Sequence, residues 1–144
     1  MHTGKPNVLL VEDSPADANL VAVALEDAHL ECNLLVMQDG AKAIDFIDRL
    51  DSGSGKDSPD IVLLDLNLPK ASGTAVLERI RSSSRCGGAK VLIISSSDAP
   101  ADRERAIGLG ASDYFRKPSS LEQFLRLGPK VQEMLCDGKC RSIA

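Results

Sequence analysis

The sequence predicts an α/β domain built on a doubly wound, five-stranded parallel sheet of order 2-1-3-4-5. Three observations predict it. Four short runs rich in Val, Leu and Ile, and a fifth, Tyr114-Phe115-Arg116, alternate with stretches of helical periodicity, the pattern of parallel strands joined by right-handed helical crossovers. One of these runs, Ile61-Val62-Leu63-Leu64, is apolar without a break, as expected of a central strand covered on both faces. The length, 144 residues, suits one domain and leaves no room for a second.

The elements follow in order. Asn7-Val8-Leu9-Leu10-Val11 is the first strand, stopped by the polar cluster Glu12-Asp13-Ser14-Pro15. Ser14 is an N-cap, Pro15 suits the first helical position, and Asp17 completes a capping box. That helix runs to about Ala28, with Leu20, Val21, Ala24, Leu25 and Ala28 at helical spacing. Cys32-Asn33-Leu34-Leu35-Val36 is the second strand, and Asp39 caps a helix through Ala43, Ile44, Ile47 and Leu50. Residues 51–59 have the composition of a surface loop. The third strand, Asp60 to Asp65, leads to a helix carrying Ala75, Val76, Leu77 and Ile80. Val91-Leu92-Ile93-Ile94 is the fourth strand, followed by a helix from about Ala101 to Leu109 that stops at Gly110. Tyr114-Phe115-Arg116 is the fifth, and Ser119 with Glu122 opens the last helix.

Composition narrows the function. Seventeen Lys and Arg against 21 Asp and Glu leave a formal charge of −4, which disfavours general binding to phosphate backbones. No apolar run approaches the ~18–20 residues of a membrane span. The first six residues lack the layout of a signal peptide, so a cytoplasmic protein is expected. Cys32, Cys86, Cys136 and Cys140 show no Cys-x-x-Cys spacing and no histidine beside them. They read as plain thiols rather than as a zinc site.

The polar residues that end the strands carry the chemistry. Ligand sites in such sheets lie beyond the carboxyl ends of the strands. There the sequence places Glu12-Asp13, Asp65, Ser95 and Lys117, on strands that are neighbours in the predicted order. Two like unit charges ~4 Å apart repel by about 4 kcal/mol at an effective dielectric of 20, so three clustered carboxylates call for a hard cation such as Mg²⁺. Asp65 can act as a nucleophile that forms an aspartyl phosphate. Lys117 would offset phosphoryl charge, and the Ser95 hydroxyl would donate to a phosphoryl oxygen. Any one of these residues alone would read as a turn or cap; all five on one rim read as a site.

The motifs Val8-Leu9-Leu10-Val11-Glu12-Asp13, Ile61 to Pro69 with Gly73 following, Ile94-Ser95-Ser96, and Asp113 to Pro118 resemble a response-regulator receiver domain of two-component signalling. The resemblance covers residues 6–136, leaving 137–144 as a short tail, and it implies the flavodoxin-like (βα)5 fold. It implies phosphorylation of Asp65 by a sensor histidine kinase or phosphotransfer protein. Mg²⁺ would be held by Asp13, Asp65 and the backbone carbonyl of Asn67, with Glu12 acting through water. Ser95 and Lys117 would bind the phosphoryl group, Tyr114 would rotate on activation, and Lys117-Pro118 would carry a cis peptide. The protein would be a signalling module rather than an enzyme. The run Leu66-Asn67-Leu68-Pro69-Lys70, the loop at 51–59 and the lack of an output domain resemble stand-alone regulators that partner bacterial phytochrome-type kinases.

Two other classes of protein fit the residues less well. A haloacid-dehalogenase-type phosphatase needs a second acid two residues after its nucleophile, and that position is Asn67. A flavodoxin-like cofactor binder needs a phosphate-cradling loop after the first strand, where Glu12-Asp13 would repel the anion.

The last helix shows two apolar stripes: Leu121, Leu125, Gly128 and Leu135; and Phe124, Leu127, Val131 and Met134. The first is expected to cover the sheet. The second leaves apolar surface for something else to cover; a break at Pro129 is expected to swing Val131–Leu135 away from the sheet, and a homodimer through this helix, joined by the fourth helix and fifth strand, is expected.

Overall fold

The computed structural model describes residues 4–53, 58–68, 72–97 and 99–136. Pro69, Lys70, residues 54–57 of the 51–59 loop and the tail with Cys140 lie outside these residues. The apolar runs form β1 (Asn7–Val11), β2 (Asn33–Met37), β3 (Ile61–Asp65), β4 (Lys90–Ser95) and β5 (Asp113–Arg116). All pair in parallel, in the order β2-β1-β3-β4-β5. The helices are α1 (Pro15–Asp27), α2 (Gly40–Asp51), α3 (Gly73–Ser82), α4 (Pro100–Gly108), α5 (Leu121–Phe124) and α6 (Leu127–Cys136).

Strand side chains alternate between two cores. Leu9, Val11, Val62, Leu64, Val91 and Ile93 meet Ala43, Ile47 and Leu50 of α2, Val76, Leu77 and Ile80 of α3, and Ala106 of α4. Val8, Leu10, Ile61, Leu63, Leu92 and Ile94 meet Val21, Ala24 and Leu25 of α1, Phe124 of α5, and Leu127, Val131 and Met134 of α6. Every residue of β3 is buried, as its unbroken apolar run predicts. Helix α4 contributes a single buried residue, Ala106.

Three expectations at the C-terminal end are corrected. Ser120, not Ser119, caps α5, its Oγ accepting from the Gln123 N–H at 3.2 Å. The expected last helix is broken at Leu125-Arg126, which places Pro129 in the first turn of α6, where a missing N–H costs nothing. The second stripe is not swung outward: Phe124, Leu127, Val131 and Met134 cover the sheet, Leu125 and Leu135 pack partly against the same core, and only Leu121 of the first stripe, 55% exposed, faces water. Gly128 explains the arrangement. A Cβ there would overlap the carbonyl oxygen of Ala24 and sit 2.7 Å from the Ala28 Cβ, so only glycine lets α6 lie this close to α1.

On the other face, Asp51 ties α2 to the end of α3. Its Oδ1 accepts from the Ser83 and Ser84 hydroxyls at 2.7 and 3.1 Å and from the Arg85 N–H at 3.0 Å. Its Oδ2 accepts from Arg79 at 2.7 Å. The Ser83 hydroxyl, then Arg79, hold the Asp51 carboxyl below the usual carboxylate range. A depressed native pKa contributes stability above the unfolded value of about 3.9 and loses it as pH falls through the native value. Thermal melts from pH 7 to 3 should show Asp51→Asn less stable than the parent at neutral pH, with a smaller further loss below about pH 4. Parallel curves would disprove this role.

Candidate functional site

Parallel strands put all their carboxyl ends on one rim, and the register sets who meets whom. Val11 of β1 pairs with Leu64, and Asp65 with Ile94 of β4. Glu12 and Asp65 therefore leave adjacent strands side by side. Beyond β5, the Lys117 N–H donates to the Ser95 carbonyl at 2.7 Å. Gly73 brings the start of α3 against the end of β3, its N–H donating to the Leu66 carbonyl at 3.1 Å. A Cβ on Gly73 would lie 2.5 Å from the Leu66 Cα, so a larger residue would displace the backbone next to Asp65.

The predicted acids come together. Glu12, Asp13 and Asp65 each offer a carboxylate oxygen, and these lie within 4.8 Å of one another. Glu12 and Asp65 are buried and Asp13 is exposed. Three hard oxygen donors, one of them open to water, suit Mg²⁺. Asn67 reaches the site through its N–H, which donates to Asp65 Oδ1 at 2.9 Å. Lys117 Nζ donates to Glu12 Oε1 at 2.8 Å, Asp65 Oδ2 at 3.1 Å and Asp17 Oδ2 at 2.8 Å. Both Asp65 oxygens are thus held by donors.

The electrostatics follow from burial and pairing. Burial raises the Glu12 carboxyl to about 7, against the hydrogen bonds from Lys117 and the Ser14 N–H; the Asp65 charge adds to the rise. Burial works against the Lys117 ammonium as well, but hydrogen bonds to Asp17 and Glu12 and the charge of Asp65 outweigh it. Lys117 is therefore held above the ordinary lysine range and stays charged.

Ser95 is fully buried at the end of β4. With Leu66, Asn67, Thr74, Asp102 and Arg105 it lines a cavity of about 150 Å³. Its Oγ accepts from the Ser97 N–H at 3.1 Å. Tyr114 is turned inward, 6% exposed, its hydroxyl donating to the Ser97 carbonyl at 2.9 Å. The Arg103 guanidinium lies 5.6 Å from the Tyr114 ring centroid. Ser97 thus bonds both Ser95 and Tyr114. The Lys117-Pro118 peptide is trans rather than cis, the form X-Pro bonds favour by about 0.5–1 kcal/mol.

Asp17 is the site residue that the sequence pattern misassigns. Ser14 does cap α1, accepting from the Asp17 N–H at 3.2 Å. The Ser14 N–H, however, donates to Glu12 Oε2 at 3.0 Å, and the Asp17 carboxylate turns to Lys117 instead of closing a capping box.

A sequence model of the response regulator receiver domain family matches residues 8–127. The chain belongs to the response-regulator receiver family. Among curated relatives of this receiver domain is the probable methanogenesis regulatory protein FilR2 of Methanothrix harundinacea. It is 36% identical over 126 residues, covering 88% of this chain and 81% of that protein. Response regulator Rcp1 of Synechocystis sp. is 30% identical over 120 residues, covering 83% and 82%. Among solved structures, the phosphorylated cyanobacterial phytochrome response regulator RcpA superposes with a TM-score of 0.83 at 27% identity, covering 95% of this chain and 98% of that one. Receiver domains are signalling modules that bind Mg²⁺ at an acidic pocket, and Glu12, Asp13 and Asp65 form an acidic group that could hold a metal ion. No helix among the described residues is long and apolar enough to cross a membrane.

Proposed function

We propose that this receiver domain accepts a phosphoryl group on Asp65 from a sensor histidine kinase, in a Mg²⁺-dependent reaction, and signals by the resulting change of shape. The observation that carries the reading is Asp65 itself: a buried carboxylate ending the central strand, beside two other acids and one lysine. One Asp65 carboxylate oxygen attacks phosphorus. The bond from phosphorus to the donor nitrogen breaks, the donor imidazole keeps the electron pair, and an acyl phosphate results. The Asn67 N–H and Lys117 hold the carboxylate oriented, and Lys117 offsets charge on the phosphoryl oxygens. Glu12, Asp13, Asp65 and the Asn67 carbonyl would hold Mg²⁺, which when bound neutralises the acids and the transferring group.

The switch runs through Ser95. Its hydroxyl leaves the Ser97 N–H for a phosphoryl oxygen, which disturbs the residue whose carbonyl holds Tyr114. The likeness to the phytochrome response regulator RcpA supports a phytochrome-type kinase as the phosphoryl source. A homodimer through the C-terminal helices would have to use Leu121, since Phe124 and Met134 are spent on the sheet.

The test is Mg²⁺ dependence. Intact mass after incubation with a small phosphodonor should show one phosphoryl group with Mg²⁺ and none with chelator. Asp13→Ala should bind Mg²⁺ at least about tenfold more weakly by calorimetry, having lost one hard ligand. Undiminished affinity would remove Asp13 from the ligand set.

A further inference from the structure

Lys117 enters the site with every ammonium donor in use. Its three acceptors are Glu12 Oε1, Asp17 Oδ2 and Asp65 Oδ2, at 2.8, 2.8 and 3.1 Å, and an ammonium has three N–H donors. The acceptors differ in their access to water. The Glu12 and Asp65 side chains are 2% and 8% exposed, whereas that of Asp17 is 32% exposed. The Asp17 carboxylate reaches across from the first turn of α1, although its helix offers it a local role in the cap.

We propose that Asp17 is a positioning residue that holds Lys117 in the unphosphorylated protein and is the partner Lys117 gives up when a phosphoryl group forms on Asp65. The proposal rests on Asp65 being the phosphoacceptor. A phosphoryl group brings up to two negative charges and three acceptor oxygens. Lys117 can donate to one of them only by releasing a present acceptor. Releasing Glu12 would take the ammonium donor from a carboxylate that water barely reaches, which is costly, and Asp65 carries the phosphoryl group itself. Releasing Asp17 costs less, because water can replace the ammonium at a partly exposed carboxylate. The Asp17 charge also opposes an arriving anion. Asp17 therefore stabilises the unphosphorylated arrangement alone, and a contact made in one state only shifts the equilibrium toward that state.

Beryllofluoride with Mg²⁺ serves as the phosphoryl mimic, titrated by calorimetry into the parent, Asp17→Asn, Asp17→Ala and Asp17→Glu. Asp17→Asn and Asp17→Ala should bind it about three- to tenfold more tightly, the size of one partly exposed charge-assisted contact. Asp17→Glu should return toward the parent. A second readout needs no metal. The rate at which an amine-acylating reagent modifies Lys117 should rise severalfold in Asp17→Asn, with Lys42 and Lys130 of the same molecule as internal references. A parent that does not bind beryllofluoride overturns the phosphoacceptor reading. A parent that binds it, with Asp17→Asn and Asp17→Ala equal to it or weaker, overturns the role of Asp17 and leaves that reading standing.

Discussion

Asp65→Asn is expected to abolish phosphoryl acceptance. The amide keeps the size of the carboxylate and can still accept the Asn67 N–H, so the site keeps its shape. It lacks the anionic oxygen that attacks phosphorus. Labelling by a small phosphodonor with Mg²⁺ should fall at least about 100-fold, since no neighbouring group can replace the nucleophile. Glu12 and Asp13 are carboxylates too, but neither ends the central strand, and Glu12 is held by Lys117 and the Ser14 N–H. Fragment masses from the labelled parent should place the group on Asp65. Undiminished labelling of the variant would move the phosphoacceptor elsewhere on the rim.

Gly128→Ala is expected to destabilise the fold by about 2–3 kcal/mol, as overpacking at a rigid contact does. Its methyl group would collide with the backbone of α1 at Ala24 and with Ala28. That obstacle cannot rotate away as a side-chain tip could. The gain in helix propensity, about 1 kcal/mol, acts against the clash but is smaller. Gly108→Ala supplies the contrast. It too lies in a helix, with nothing within 4 Å of the added carbon, so it should be neutral or gain up to about 1 kcal/mol. Denaturant midpoints for the two variants should therefore move apart. A Gly128→Ala midpoint at or above that of the parent would show that α6 can retreat from α1 at little cost.

The sheet and its rim were legible because each rests on short-range pattern. Asn7–Val11 is a strand in sequence and structure alike, since an apolar run that short, stopped by Glu12 to Pro15, has few alternatives. Strand order then brings Glu12, Asp13, Asp65, Ser95 and Lys117 to one edge. Asp17 was less legible because two partners compete for it. The Ser14-x-x-Asp17 spacing signals a cap, and nothing local says that a lysine 100 residues away takes the carboxylate. The faces of α5 and α6 were misread for a related reason. Two stripes of similar apolarity cannot be ranked by periodicity alone, and the deciding fact is the close approach of Gly128 to Ala24.

Helix α4 buries only Ala106, whereas α2 and α3 each bury at least three large aliphatic or alanine side chains. The work needed to tilt or slide a helix grows with the apolar surface it must uncover. One alanine methyl group uncovers little, roughly 25 cal/mol for each Å². Conformers that differ in the placement of α4 are therefore close in free energy, and their ratio responds to small inputs. A preference of about 1.4 kcal/mol changes such a ratio tenfold. The Ser97 hydroxyl donates to Asp102 of α4 at 2.6 Å, so the turn proposed for the Ser95 hydroxyl, two residues earlier, would reach α4 directly.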